Sequence, residues 1–349
     1  MSQIGLYDES TALERLSKLG DKLEWLDEAI NWNIFLPLLR KSKPDKTKEG
    51  KGGRPPLPLL MMFKIMVLQD LYNVSFDQME FQINDRLSWK RFVGLTFSDK
   101  SPDATTIQEF REILTNTALY DALFTLFNET LEGMGVITHK GSINDATFID
   151  VPRQRNTRAE NQIIKEGGTP EEWELPENTK MLSQKDLEAA WTKKNNETHY
   201  GYKDHVLVDR DSKIITEWRV TPANVHDSQM LMALITEKVN EFWADSAYMS
   251  KDILDFFQES FPKIKLHISE KGYRNNPLTE EQKTGNREKS KTRSRVEHVF
   301  GHMTNSMGGM MIRSIGIVRA ESKIVMKNLV YNISRYETLV RLNRAPKMA

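Results

Sequence analysis

Cysteine is absent from the 349 residues. Disulfide scaffolds, cysteine zinc fingers, iron–sulfur centres and thiol nucleophiles are therefore excluded. No apolar run reaches membrane length: the most hydrophobic stretch, Leu57–Leu68, is short and contains Lys64. The N-terminus lacks the basic-then-apolar pattern of a secretory signal. The expectation is a soluble, cytoplasmic protein. Neither charge sign predominates, with 49 basic and 49 acidic residues, which taken alone argues against a general nucleic-acid binder. There is no internal repeat.

Hydrophobic residues make up 39% and charged residues 28%, a composition that folds around a core without covalent staples. The length suits two domains, or one domain with an arm. The neutral total conceals clusters. Arg40–Arg54 holds seven basic and two acidic residues, Lys283–Arg295 six and one, and Arg313–Lys347 eight and two. Local density is what a polyanion meets. The competing reading is that these runs are solvated faces or loops.

Residues 1–40 read as helical, with leucines 13, 16, 19, 23 and 26 in the pattern, and a basic Gly/Pro-rich linker, Lys41–Pro58, follows. Leu59, Met62, Phe63, Met66 and Val67 then recur at helical spacing. Asn73 can end that helix, and Ser75 with Gln78 matches a capping box for the next. A third helix begins near Asp103 and carries Ile107, Phe110, Ile113 and Leu114. This block fits either a helix-turn-helix or a plain bundle.

From Ser142 the period changes to two. Ser142–Val151, Asp204–Asp209 and Lys213–Val220 alternate as strands, and Asp209–Ser212 suits a hairpin turn. Helical spacing runs from His226 to Val239. Glu241–Asp245 reads as a strand, Ser250 caps a helix through Phe257, and Lys263–Ile268 is another strand. Helices return over Ser294–Met303 and Ser322–Leu342. The order predicts a mixed sheet flanked by helices. Residues 153–200 read as a loop-rich insertion, with Gly167, Gly168, Pro170 and Pro176.

Three carboxylates are anomalous in this pattern. Asp145 shares a strand face with Ile143, Ile149 and Val151, where a charge is costly unless paired or bound to metal. The alternative is a frayed strand start open to water. Asp245 ends a short apolar strand, and the carboxyl ends of strands in open sheets are where ligands bind; the alternative is an Asp that merely starts a turn. Glu297 lies beside the buried stripe of Val296, Val299, Phe300 and Met303, four residues after Arg293. Its alternative is a capping box with Ser294. Three such oxygen donors are what hard divalent cations require, and two such ions can flank a phosphodiester.

Other constellations carry less. His298 and His302 stand i, i+4, as in zinc sites, but the metalloprotease pattern is missing. Met303, Met307, Met310 and Met311 read as packing residues. Gly308–Gly309 lacks the context of a phosphate loop.

Five segments occur in an order that resembles one family: Asn144–Thr147, Tyr200–His205, Thr221–Ser228, Ala244–Tyr248 and Arg293–Gly301. Gly53–Pro56 and Ser101–Thr106 resemble its N-terminal region. The chain is similar to the DDE transposases of bacterial insertion sequences, the IS-five group of the IS-four-like superfamily, from about residue 50 to 340. The resemblance implies a ribonuclease-H-like α/β fold preceded by an all-helical N-terminal domain. The boundaries expected are 1–52 for an arm and basic linker, 53–135 for a helical DNA-binding or dimerisation domain, and 136–349 for the catalytic domain containing the 153–200 insertion.

The same resemblance places the catalytic and metal-binding acids at Asp145, Asp245 and Glu297, with two Mg²⁺ (or Mn²⁺) ions. Arg293 matches the arginine four residues before the Glu. Ser290 and Thr304 stand where the family often has Tyr and Lys, so Lys291, Arg295 or Arg313 is expected to grip phosphates instead. Lys46, Lys48, Lys51 and Arg54 are expected to contact DNA phosphates, with the helix near Asp103 reading bases. The competing assignment makes this block a dimerisation bundle. His205, His226 and His298 are second-tier candidates; for His205 and His226 the competing reading is a buried structural histidine. The function implied is cleavage of the inverted-repeat ends of an element and their joining to target DNA by a homodimer or higher oligomer, in the bacterial cytoplasm near the nucleoid. One alternative is an inactive, domesticated descendant, whose expected mark is a lost acid; all three are present. Another is a metal-dependent nuclease without strand transfer.

Overall fold

Capping residues set the helix starts in the first part of the chain. A computed structural model describes residues 6–42, 57–194, 196–273 and 276–348, so Lys46, Lys48, Lys51 and Arg54 lie outside the described residues. Among the described residues eight α-helices precede the first strand: α1 (Leu6–Leu19), α2 (Lys22–Ala29), α3 (Leu36–Leu39), α4 (Leu59–Tyr72), α5 (Phe76–Asp85), α6 (Leu87–Val93), α7 (Ala104–Asn116) and α8 (Leu119–Gly133). Asp21, Ser75 and Asp103 cap α2, α5 and α7 by accepting from the backbone amides of Leu23, Gln78 and Thr106. Asn73 ends α4 in the left-handed region, φ 49°, which its short polar side chain tolerates.

Helix α4 is apolar on nearly every side and runs through the interior; Phe63, Ile65, Met66, Val67 and Leu68 are fully buried. Phe35 packs on Phe63 at 4.8 Å and on Phe127 at 6.0 Å. Arg111 of α7, itself partly exposed, reaches the buried Asp70 at 2.5 Å and the buried Gln69 at 2.8 Å, so the buried carboxylate is paired.

The period-two region forms a six-stranded sheet. Its strands are β1 (Ser142–Asp150), β2 (Ala190–Lys194), β3 (Glu197–Asp209), β4 (Ile215–Pro222), β5 (Glu241–Ala244) and β6 (Lys265–Ile268). The order is β2-β3-β1-β5-β6, with β4 also paired to β3. Strand β3 is antiparallel to β1, β2 and β4, whereas β5 is parallel to β1 and β6. This mixed sheet flanked by helices is the ribonuclease-H-like α/β architecture that the resemblance implies. On one face Ile149, Val151, Tyr202 and Val220 pack against Ile312, Ala320 and Ile324. On the other Leu207, Phe242 and Ala244 pack with Leu231, Ile253 and Phe257.

Two segments fold differently from their local pattern. The 153–200 segment is not simply loop: it contains α9 (Arg158–Lys165), α10 (Thr179–Leu182), β2 and the start of β3. Its local core is Trp173, 2% exposed, whose indole donates to Glu160 at 3.0 Å. The stretch from His226 to Val239 is not one helix. A 3₁₀ turn, Asp227–Met230, leads to the single turn α11 (Leu231–Leu234), after which Ile235 is extended. The imidazole of His226 caps the turn, and Leu231, Leu234, Ile235 and Val239 are all buried. Their spacing would also suit one face of a helix, but the chain buries them along a broken path.

The last helices are α12 (Lys251–Ser260), α13 (Glu280–Arg293), α14 (Glu297–Ser306) and α15 (Ile317–Arg341). The basic run Lys283–Arg295 falls on α13 and the turn after it. By contacts the chain divides into two units: Met1–Ile137 with His302–Gly309 and Val325–Ala349, and Thr138–Gly301 with Met310–Ile324. Thus 302–309 and 325–349, read from sequence as part of the 136–349 domain, pack with the helical unit. There Tyr336 meets Phe127 edge-on at 6.2 Å, and Asn332 donates to Asn128 at 3.0 Å. No single described helix is long and apolar enough to cross a membrane.

Candidate active site

Strand register brings two of the three anomalous acids together. Ser142 pairs with Phe242 and Ile143 with Trp243 in the parallel β1–β5 ladder. Continuing that register two residues sets Asp145 level with Asp245, one residue beyond the end of β5. Alternation puts both on the same face of the sheet.

The two carboxylates are held differently. Asp145 is half-buried; its Oδ1 accepts from the Ala146 amide at 2.9 Å and its Oδ2 lies 3.6 Å from the Arg293 guanidinium. Burial pushes its carboxyl up to about 6, and the neighbouring Asp245 reinforces this, while the Ala146 amide and Arg293 oppose it. Asp245 accepts from the Ala247 amide at 2.8 Å and so starts the 3₁₀ turn Ser246–Tyr248. The turn-start reading of Asp245 and its position beside Asp145 therefore hold together.

Arg293 is the last residue of α13, and three turn residues separate it from Glu297, the first residue of α14. The Glu297 amide donates to the Ser294 carbonyl at 3.2 Å, whereas the Ser294 hydroxyl donates back to the Lys291 carbonyl at 3.1 Å. The Ser294 side chain thus faces the helix behind it. Glu297 is exposed. Among the described residues no group of three or more His, Asp or Glu side chains is gathered closely enough to hold a metal ion. The structure pairs Asp145 with Asp245 and leaves the Glu297 carboxylate outside that pair.

The remaining candidates are distributed as follows. Arg295 donates to the Arg210 carbonyl at 2.9 Å and lies 3.7 Å from Asp211. Lys291, Arg313 and His298 are exposed. His205 is 1% exposed and bonded to the Thr221 hydroxyl at 2.9 Å; burial holds it down at about 4, hence neutral near pH 7. His226 is the turn cap described above. His302 meets the Ser334 hydroxyl at 3.3 Å and stands edge-on to Tyr331.

Two further buried groups, Tyr248 and Lys203, carry little sequence signal. Tyr248 is 1% exposed, and burial with Asp227, Asp145 and Asp245 nearby raises its hydroxyl well above the usual range, keeping it protonated. Lys203 of β3 donates to Asp227 and to the Val225 carbonyl, each at 2.7 Å, and lies 5.3 Å from the centre of the Phe148 ring. Lys203 stands among other polar residues of β3, so it carries no local signal, and its partner lies 24 residues away on another element.

Two family models match the chain. The transposase DDE domain matches residues 138–333, and the transposase domain (DUF772) matches residues 11–112. Among solved structures, the cryo-EM structure of the piggyBac transposase synaptic complex with hairpin DNA is similar at 12% identity and a TM-score of 0.45. That match covers 95% of this chain and 77% of the other.

Proposed function

The chain belongs to the transposase DDE-domain family, and from that membership we propose that it binds the inverted-repeat ends of an insertion sequence, hydrolyses a strand at each end and joins the freed 3′-hydroxyl to target DNA. The observation that carries this reading is the pair Asp145–Asp245 on neighbouring parallel strands, with Arg293 on Asp145. Burial of Asp145, reinforced by the charge of Asp245 beside it, raises its carboxyl to about 6, so its ionised form at neutral pH is held at a cost. A divalent cation relieves that cost, so the donor chemistry fits Mg²⁺ or Mn²⁺. Asp145 and Asp245 would hold the ions, with Glu297 completing the set by a side-chain movement at the exposed start of α14. Two bound ions would supply activation of the attacking oxygen and stabilisation of the leaving oxygen.

The protein's own groups position the rest. Arg293 orients Asp145 and blunts its charge. The Asp245 turn fixes Tyr248 beneath both acids as a neutral hydroxyl. Lys203 neutralises Asp227, so a third negative charge does not accumulate nearby. End recognition belongs to the helical unit, where α7 exposes Gln108 and Asn116, side chains able to read base edges. Two ends processed together require at least two copies of the chain.

The test is end cleavage with Mg²⁺ or Mn²⁺ by Asp145→Ala, Asp245→Ala and Glu297→Ala. Each variant should lose cleavage by orders of magnitude and keep end binding. Chelation by EDTA should stop the wild-type enzyme. Near-normal cleavage by Glu297→Ala would remove Glu297 from the site, and cleavage persisting in EDTA would refute the metal assignment.

A further inference from the structure

We propose that the pocket just beyond the far end of β1 is a second DNA-phosphate site, which grips the duplex about six base pairs from the scissile phosphate; this rests on the DNA reading above. Strand β1 leaves the acids and ends at Asp150, where Met311 pairs beside it. The Ile312 amide donates to the Asp150 carbonyl at 3.0 Å. That pairing carries residues 151–155 and 313–315 out side by side. They wall a cavity of about 340 Å³, closed by the segment around Lys185.

The cavity is cationic. Arg153, Arg155, Lys185 and Arg313 line it, against one acid, Asp186. Asp186 is 3% exposed and spent on structure: the Tyr202 hydroxyl donates to both its oxygens, and the Glu188 and Ala189 amides donate to Oδ1. The partners of the fixed cations are neutral. Arg153 donates to the Thr198 carbonyl at 3.1 Å, and Lys185 donates to the Asn156 amide oxygen at 2.6 Å. Arg155 and Arg313 are exposed and form no ion pair among the described residues. Their charge is therefore available to a polyanion. Guanidinium groups suit phosphate oxygens by geometry as well as charge.

Distance fits the same substrate. From Asp145 to Val151 the chain is extended over six residues, about 20 Å at strand rise. At about 3.4 Å per base pair that is about six base pairs of duplex.

The experiment measures binding of the full-length protein to a random-sequence duplex by fluorescence anisotropy across a salt series. It compares wild type, Arg155→Ala/Arg313→Ala, the charge-keeping Arg155→Lys/Arg313→Lys, and Lys263→Ala/Lys265→Ala at the opposite edge of the sheet. The alanine pair should weaken binding and make the slope of log K against log salt shallower by about 2, one for each lost phosphate contact. The lysine pair should keep the slope, as should the distant control. Circular dichroism checks folding, and Arg155→Gln alone, at an exposed position, should show about half the effect. Wild-type affinity and slope in the alanine pair overturn the pocket while leaving the DNA reading intact. An equal loss in the Lys263/Lys265 control reduces the effect to general charge and also overturns it. Wild type that binds no duplex overturns the DNA reading, and the pocket with it.

Discussion

Asp145 carries a cost in the metal-free protein. An ordinary aspartate has its pKa near 3.8, and in the fold this one is held at about 6. The folded state therefore keeps its proton to higher pH than the unfolded chain. Stability is lost as pH rises through the interval between those values, and the loss is complete above the folded pKa, at about 3 kcal/mol. Asp145→Asn should accordingly be more stable than wild type at pH 8 in EDTA by up to that amount. The advantage should vanish near pH 2.5, where both states of the wild type are protonated. Urea unfolding at several pH values measures it; a variant less stable at pH 8 would contradict the crowded-acid account. From the sequence, Asp145 is visible as a charge on an apolar face. Lys203–Asp227 is not visible as a pair, because the ion pair is made between elements and leaves no local pattern.

At the scale of the element, Gly201 controls how β1 and β3 meet. It adopts φ 148°, and a Cβ there would lie 2.2 Å from the Ile149 carbonyl oxygen and 3.1 Å from the Val151 amide nitrogen. Both atoms are backbone and cannot swing away. Gly201→Ala should cost about 2–4 kcal/mol and loosen the end of β1, where the Val151 amide donates to the Tyr200 carbonyl. Faster amide exchange confined to residues 149–151 and 200–202 is the expected signature, and unchanged protection there would refute it. The Tyr200–His205 segment thus has a physical reason for its glycine. Helix limits were legible where a capping side chain stood at the start, at Ser75, Asp103 and Ser250. They are not legible from His226 to Val239, where apolar spacing compatible with a helix serves a broken path into the core.

Across the molecule, the final helix binds distant parts of the sequence. Leu329, Val330, Ile333 and Tyr336 of α15 are fully buried in the unit that holds the first 137 residues. Burial of four such side chains is worth roughly 6–12 kcal/mol, comparable to the whole stability of a typical domain. Ending the chain after Ile324 should therefore abolish cooperative thermal unfolding of the helical unit and, with it, recognition of the element's ends. A fragment such as 1–135 would fail for the same reason, so recognition is better mapped with Gln108→Ala and Asn116→Ala in the full chain. A truncated chain with a sharp, wild-type-like melt would show that α15 is dispensable.

Composition and periodicity alone determined a cysteine-free protein, a helical first block, the change to period two at Ser142 and three out-of-place acids. These are local properties: which residues alternate, which cap, and which charge stands among apolar neighbours. Tertiary structure decided what depends on residues far apart in the chain. It set Asp145 level with Asp245 through the β1–β5 register and gave Asp145 its ion pair with Arg293. It turned part of a polar insertion into strand β2 and the wall of a cationic cavity. It returned 325–349 to the helical unit, because the apolar stripe of α15 is buried only when packed against side chains contributed by the first 137 residues.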